Sequence, residues 1–390
     1  MRIINAHVYP MDAPEIENGY VSIRDGRIAA LGDMTQCPED PETFDAQGGG
    51  LYPGFVDAHT HLGMWEDGLG FEGDDGNEDT DPCMPQLRGV DAVNPLDRCF
   101  REALEAGVTT VVTGPGSANP IGGQLCAMKT YGCAEDGNAG CIDDVLVAAP
   151  VAMKMALGEN PKSSYHEKNQ TPVTRMATAS LIREQLARAR RYDQDKRRAA
   201  EDDEVDEPEY DSRLEALLPV IRGELPVHFH AHRLDDIYTA RRLAREFDLN
   251  MVIVHGTEAH RAAKRLGDER IPVLCGPLLC DRSKPELREL TPATPARLRE
   301  AGVEIAIITD HPVIPEQYLP LCAGLAVREG LPYDEALKAI TLYPARILGI
   351  ADRVGSLTPG KDADLVLFRE DPLTVAARPA AVFAAGRRVR

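Results

Sequence analysis

The chain has 390 residues, 43% of them hydrophobic, and carries 43 Lys and Arg against 63 Asp and Glu, a formal charge of −20. That acidity argues against nucleic acid and anionic membrane as partners, since both require basic surface, and no apolar run approaches the ~18 residues of a membrane span. The start shows no basic segment followed by an apolar one, and the nine cysteines include no Cys-x-x-Cys, so a reduced, cytoplasmic protein is expected.

Short β-branched runs at 2–9, 20–24 and 27–31, broken by the turn Asp25-Gly26, predict strands. Runs at 363–368 and 381–383 repeat that style at the far end. Residues 1–52 and 353–390 are therefore expected to pair into one small β-sandwich, with a larger domain, 53–352, between its halves. Length alone predicts roughly two or three domains.

In the middle, strand-like runs alternate with helical ones. The apolar run 51–56 leads into His59-Thr60-His61, and a helix-compatible stretch at 95–106 precedes the run 108–113. Further strands are expected at 145–151, continuing to 155, and at 226–230, 250–255, 271–274 and 303–309, with helices at 177–191 and 234–247. Such alternation predicts an α/β fold of parallel units, a (β/α)8 TIM barrel with active residues at the C-terminal strand ends. Two segments depart from the rhythm. The acidic, glycine-rich stretch 66–81 is expected to be a mobile cover over an active site, and the charged stretch 188–213 an exposed helix end and insertion.

Alternate side chains of a strand share a face, so His59 and His61 project together, and neutral imidazoles are ligands for zinc-like ions. Seven of the ten histidines (59, 61, 228, 230, 232, 255 and 311) fall at four strand ends, the last beside Asp310. Such clustering points to a metal centre assembled across strands. The loop 114–124 would offer Asn119 and Gln124 to an amide or carboxylate substrate, and it lacks the lysine pattern of a phosphate loop. His228 is expected to face the core, and His7, His166 and His260 to be structural.

The segment Pro53-Gly54-Phe55-Val56-Asp57-Ala58-His59-Thr60-His61 resembles the first-strand motif of the amidohydrolase superfamily, in particular its imidazolonepropionase-related branch. His230, His255 within His-Gly-Thr, and Asp310 within Thr-Asp-His-Pro are similar to the fifth-, sixth- and eighth-strand ligands, and 341–346 and 355–366 to the return into the small β-sandwich. The resemblance implies a divalent metal, zinc foremost, as one or two ions. His59, His61 and Asp310 would hold the first. His230 would complete a one-ion site while His255 polarised the substrate carbonyl, or both would hold a second ion with a carboxylated Lys154, for which Lys129 and Glu159 are competitors.

A metal-bound hydroxide would then attack the carbonyl of a small amide or cyclic amide, Asp310 carrying the proton to the leaving nitrogen. His232 would contact substrate or proton, and His311 would touch substrate or support Asp310. The rival readings are a heterocycle deaminase and a non-catalytic, oligomeric binding protein. The deaminases' shuttle glutamate just beyond the fifth-strand histidine is replaced here by His232-Arg233, which disfavours the first. A homo-oligomer is expected.

Overall fold

The computed structural model describes residues 1–66, 70–132 and 141–390. Cys133 and residues 67–69 of the expected cover lie outside them. The chain opens with β1 (Arg2–Val8), β2 (Ile16–Arg24), β3 (Arg27–Asp33), β4 (Thr43–Asp45) and β5 (Gly50–Pro53). The barrel strands follow as β6 (Phe55–Asp57), β7 (Val108–Thr113), β8 (Ile121–Lys129), β9 (Leu146–Ala156), β10 (Val227–Ala231), β11 (Met251–His255), β12 (Val273–Cys275) and β13 (Ile305–Ile307). The chain closes with β14 (Leu365–Phe368), β15 (Ala381–Ala384) and β16 (Arg387–Arg388).

The terminal strands form one eight-stranded mixed sheet, in which β5 pairs antiparallel with β14 and so joins the two ends of the chain. Its own core gathers Ile3, Val21, Leu51, Leu365 and Phe383. The second eight-stranded sheet runs in the order β6 to β13. It is parallel except at β8, which pairs antiparallel with both β7 and β9. Residues 121–124 of the expected loop 114–124 instead open β8; Gly122 and Gly123 mask there the β-branched signal a strand normally shows.

Strand alternation sets what points inward. Val227, Phe229 and Ala231 of β10, and Met153 and Met155 of β9, enter the core shared with the surrounding helices. Lys154, His228 and His230 therefore lie on the opposite, inner face, the side on which Val252 and Val254 of β11 join the inner core. The helix Leu234–Phe247 buries Ile237, Ala240, Leu243, Ala244 and Phe247, the three-to-four spacing of a core-facing stripe. The helix Arg175–Glu201 extends well past the expected 191 and takes up half of the charged stretch, because its charges sit on an exposed face while Tyr192 and Asp193 stay buried.

Gly54 bends the chain from the small sheet into the barrel. A Cβ there would lie 2.1 Å from Thr109 Oγ1, so no larger residue fits the first strand against the second. Lys129 points to this same junction: its Nζ lies 2.6 Å from Asp364 and 3.1 Å from Asp362. Among the described residues no helix is long and apolar enough to cross a membrane, and eight cysteines are free.

Candidate metal centre

Four strand ends bring their polar groups to one place. His59 Nε2 lies 3.5 Å, and His61 Nε2 3.4 Å, from Asp310 Oδ1. Two ligands about 2.1 Å from a shared ion at the tetrahedral angle lie about 3.4 Å apart, so each of these spacings, taken as a pair, is that of two ligands on one cation. His59, His255 and Asp310 form one group with metal-ligand spacing, and His230, His232 and His255 a second. The imidazole centroids of His230 and His255 are 4.5 Å apart, and those of His232 and His255 4.4 Å.

Tautomers reinforce the fit. His61 Nδ1 lies 2.8 Å from the carbonyl oxygen of Gly114, and His255 Nδ1 2.8 Å from that of Gly276. A carbonyl only accepts, so each Nδ1 carries the hydrogen and each Nε2 offers a lone pair. Burial, then Lys154, drives His59 well below the usual histidine range; burial, then His255, does the same to His230 and His232. Burial lowers His255 to about 4. All are neutral at physiological pH, the form a metal takes. Burial opposes ionisation of Asp310, yet His255 and His61 hold its carboxyl below the usual range. His255 and Asp310 sit in the left-handed region, at φ 74° and 56°, backbone strain of about 1–3 kcal/mol each that the surrounding fold sustains.

Lys154 is wholly buried on the inner face of β9, with Nζ 3.0 Å from His59 Nε2. Burial lowers its ammonium to about 8. Of its competitors, Lys129 lies at the junction described above, and Glu159 starts the helix Glu159–His166 with its backbone N–H 3.1 Å from Glu286 Oε2. His228 is buried beside Lys154 in register, with neither ring nitrogen hydrogen bonded among the described residues. His232 Nδ1 is 2.7 Å from Thr257 Oγ1. His311 Nδ1 accepts from the backbone N–H of Glu316 at 3.2 Å.

The two amide side chains expected to meet substrate are engaged with backbone. Asn119 donates to the carbonyls of Glu78 (2.7 Å) and Asp81 (2.8 Å), and Gln124 to that of Pro85 (3.3 Å). Asn119 thereby pins the acidic loop. Gly116 N–H bonds Gly76 O, Ala118 N–H bonds Asn77 Oδ1, and Arg213 pairs with Asp81. Trp65 packs edge-on against His61 at 4.9 Å, in a slot that a Cβ on Gly76 would close, at 2.0 Å from the indole. Residues 70–81 are thus fastened to the barrel wall by bonds the sequence does not display.

Sequence reasoning missed Glu286. It enters from the segment after β12, fully buried, with Oε1 3.6 Å from His232 Nε2 and 3.8 Å from His230 Nε2. Lys284 Nζ lies 2.7 Å from the same oxygen and 3.1 Å from Asn160 Oδ1. Burial pushes the Glu286 carboxyl up, but His232 and Lys284 outweigh it and keep it ionised. Nothing in Lys284-Pro285-Glu286 signals this placement.

A barrel with imidazoles and a carboxylate gathered at its C-terminal strand ends defines the class of barrel hydrolases built around a candidate metal centre. Within that class the chain belongs to the amidohydrolase family, whose model matches residues 51–389. It is similar to amidohydrolase tasK of Hapsidospora irregularis, 33% identical over 95% of this chain, but spans only 39% of that protein's length. It is also similar to the imidazolonepropionase of Maricaulis maris, 28% identical over 90% of this chain and 87% of the relative. Among solved structures it resembles an amidohydrolase from Thermotoga maritima, 42% identical over 100% of this chain and 99% of that one, with a TM-score of 0.94.

Proposed function

We propose that the protein hydrolyses a C–N bond in a small amide or cyclic amide, using a divalent cation, zinc by its donor set, held by His59, His61 and Asp310. The observation that carries this reading is the pair of 3.4 and 3.5 Å separations from one Asp310 oxygen to two imidazole nitrogens. When bound, such a cation supplies Lewis acidity toward a carbonyl and toward water.

The chain's own groups account for the rest. Asp310, kept ionised at a buried position, accepts a proton from the attacking water at the carboxylate oxygen that the cation leaves free and hands it to the leaving nitrogen. His255 has committed its hydrogen to Gly276, so its Nε2 has none to give a carbonyl; this favours the ligand role over the polarising one. A carboxylated Lys154 would supply, with His230 and His255, the donors for a second ion. Its complete burial beside a neutral imidazole favours losing the positive charge. The relatives named imidazolonepropionase support a cyclic amide as the substrate class.

A screen of linear, dipeptide-like and cyclic amides against metal-replete protein, following carboxylate or ammonia release, tests the proposal. Hydrolysis of an amide class is expected. Ammonia release confined to amino-heterocycles would replace it with the deaminase reading, and no turnover of any compound would overturn both.

A further inference from the structure

Among the described residues the barrel's ladder has no rung between β13 and β6, and both proposed ligands His59 and Asp310 follow the strands that border this gap. Single bonds cross it. Asp310 N–H reaches His59 O at 3.3 Å, and His61 N–H reaches His311 O at 2.9 Å. Asp57 is the other bridge: Oδ1 accepts from His59 N–H at 3.0 Å, and Oδ2 from Thr309 N–H at 2.8 Å.

A proton count at Thr309 brings in Glu316. Thr309 Oγ1 lies 2.8 Å from Asp57 Oδ2 and 2.9 Å from Glu316 Oε2, and it already accepts from His311 N–H at 3.2 Å. One hydroxyl hydrogen serves one carboxyl oxygen. The second contact at that distance requires a hydrogen from the carboxyl itself. Asp57 uses both oxygens as acceptors of backbone N–H groups, so it is the ionised member. Glu316 is fully buried, and its Oε1 has no hydrogen-bond partner among the described residues.

We propose that Glu316 is a positioning residue that acts as a neutral carboxyl. Donating to Thr309, it leaves the threonine hydroxyl free to donate to Asp57 and so locks the two ligand-bearing strand ends, His59 and Asp310, at the separation a shared cation needs. Burial, and then Asp57, pushes the Glu316 carboxyl well above its ordinary range, and burial raises Asp57 as well, to about 7, so the pair shares a proton as the count requires. The inference rests on the metal-centre reading above for its consequence, but not for its hydrogen bonds.

Glu316→Gln and Glu316→Ala separate the outcomes. Gln keeps an N–H where the acid proton stands, so its zinc dissociation constant and thermal midpoint are expected to stay close to the parent's. Ala is expected to weaken zinc binding by about tenfold or more and to lower the midpoint. Asp57→Asn turns one acceptor toward backbone N–H groups into a donor, and it is expected to behave like Glu316→Ala. Gln as damaging as Ala would show that an ionised Glu316 is needed and would overturn the proposal, as would an Ala variant that matches the parent. If the parent itself bound no divalent cation, the metal reading would fail, and the midpoints of the two Glu316 variants would still decide the hydrogen-bond assignment.

Discussion

Replacing Asp310 by Asn is expected to lower kcat/KM by about 10²–10⁴-fold, the usual worth of a positioned acid–base group, with the thermal midpoint nearly unchanged. Asn is the informative choice. Asp310 holds φ at 56°, a region that Asn tolerates better than almost any residue but Gly, so the backbone strain is the same in both chains. What disappears is a carboxylate that His255 and His61 keep ionised against the pull of burial. The sign of the pH dependence follows. A base must be unprotonated, and this one is held below the usual carboxylate range, so protonation of this group limits the parent's activity only at a pH below that range. The Asn variant has no such group to titrate. Equal activity in both proteins would remove Asp310 from the mechanism.

Lys154→Met should separate stability from chemistry. Lys154 is wholly buried, with His59 Nε2 3.0 Å from its ammonium, and although the charge of Asp310 favours the ammonium, burial outweighs it, so keeping the charge there costs stability. Met has nearly the same volume and no charge, so the thermal midpoint of the metal-free protein is expected to hold or rise. If a carboxylated Lys154 completes the second set of ligands, bound metal falls from two ions per chain to one, and activity falls by about 10–100-fold. Metal analysis and intact mass before and after acid treatment measure both. Two ions retained in the Met variant would exclude the lysine from the centre.

How much of this was legible beforehand depended on distance along the chain. His-x-His, the histidine cluster around 230 and His255 announce themselves because a strand's two-residue period places them together locally, and β7 and the helix Leu234–Phe247 have the bounds their patterns predicted. The antiparallel course of β8 was hidden by its two glycines. The anchoring of residues 70–81 was hidden for another reason: it depends on Asn119, Gly116 and Arg213, each supplied from a different part of the fold. Glu286 and Glu316 share that difficulty. Each is a carboxyl in an ordinary-looking segment, and it becomes part of the centre only when the barrel brings it to His232 or to Thr309.

The central claim is that His59, His61 and Asp310 hold a catalytic cation. The most direct test is the divalent metal content of the purified chain, determined together with its amide hydrolysis before chelation, after chelation and after zinc is restored. One or two ions per chain are predicted, with activity lost on stripping and recovered on refilling while the fold persists. A metal-free chain that hydrolyses its amide at an undiminished rate would contradict the account.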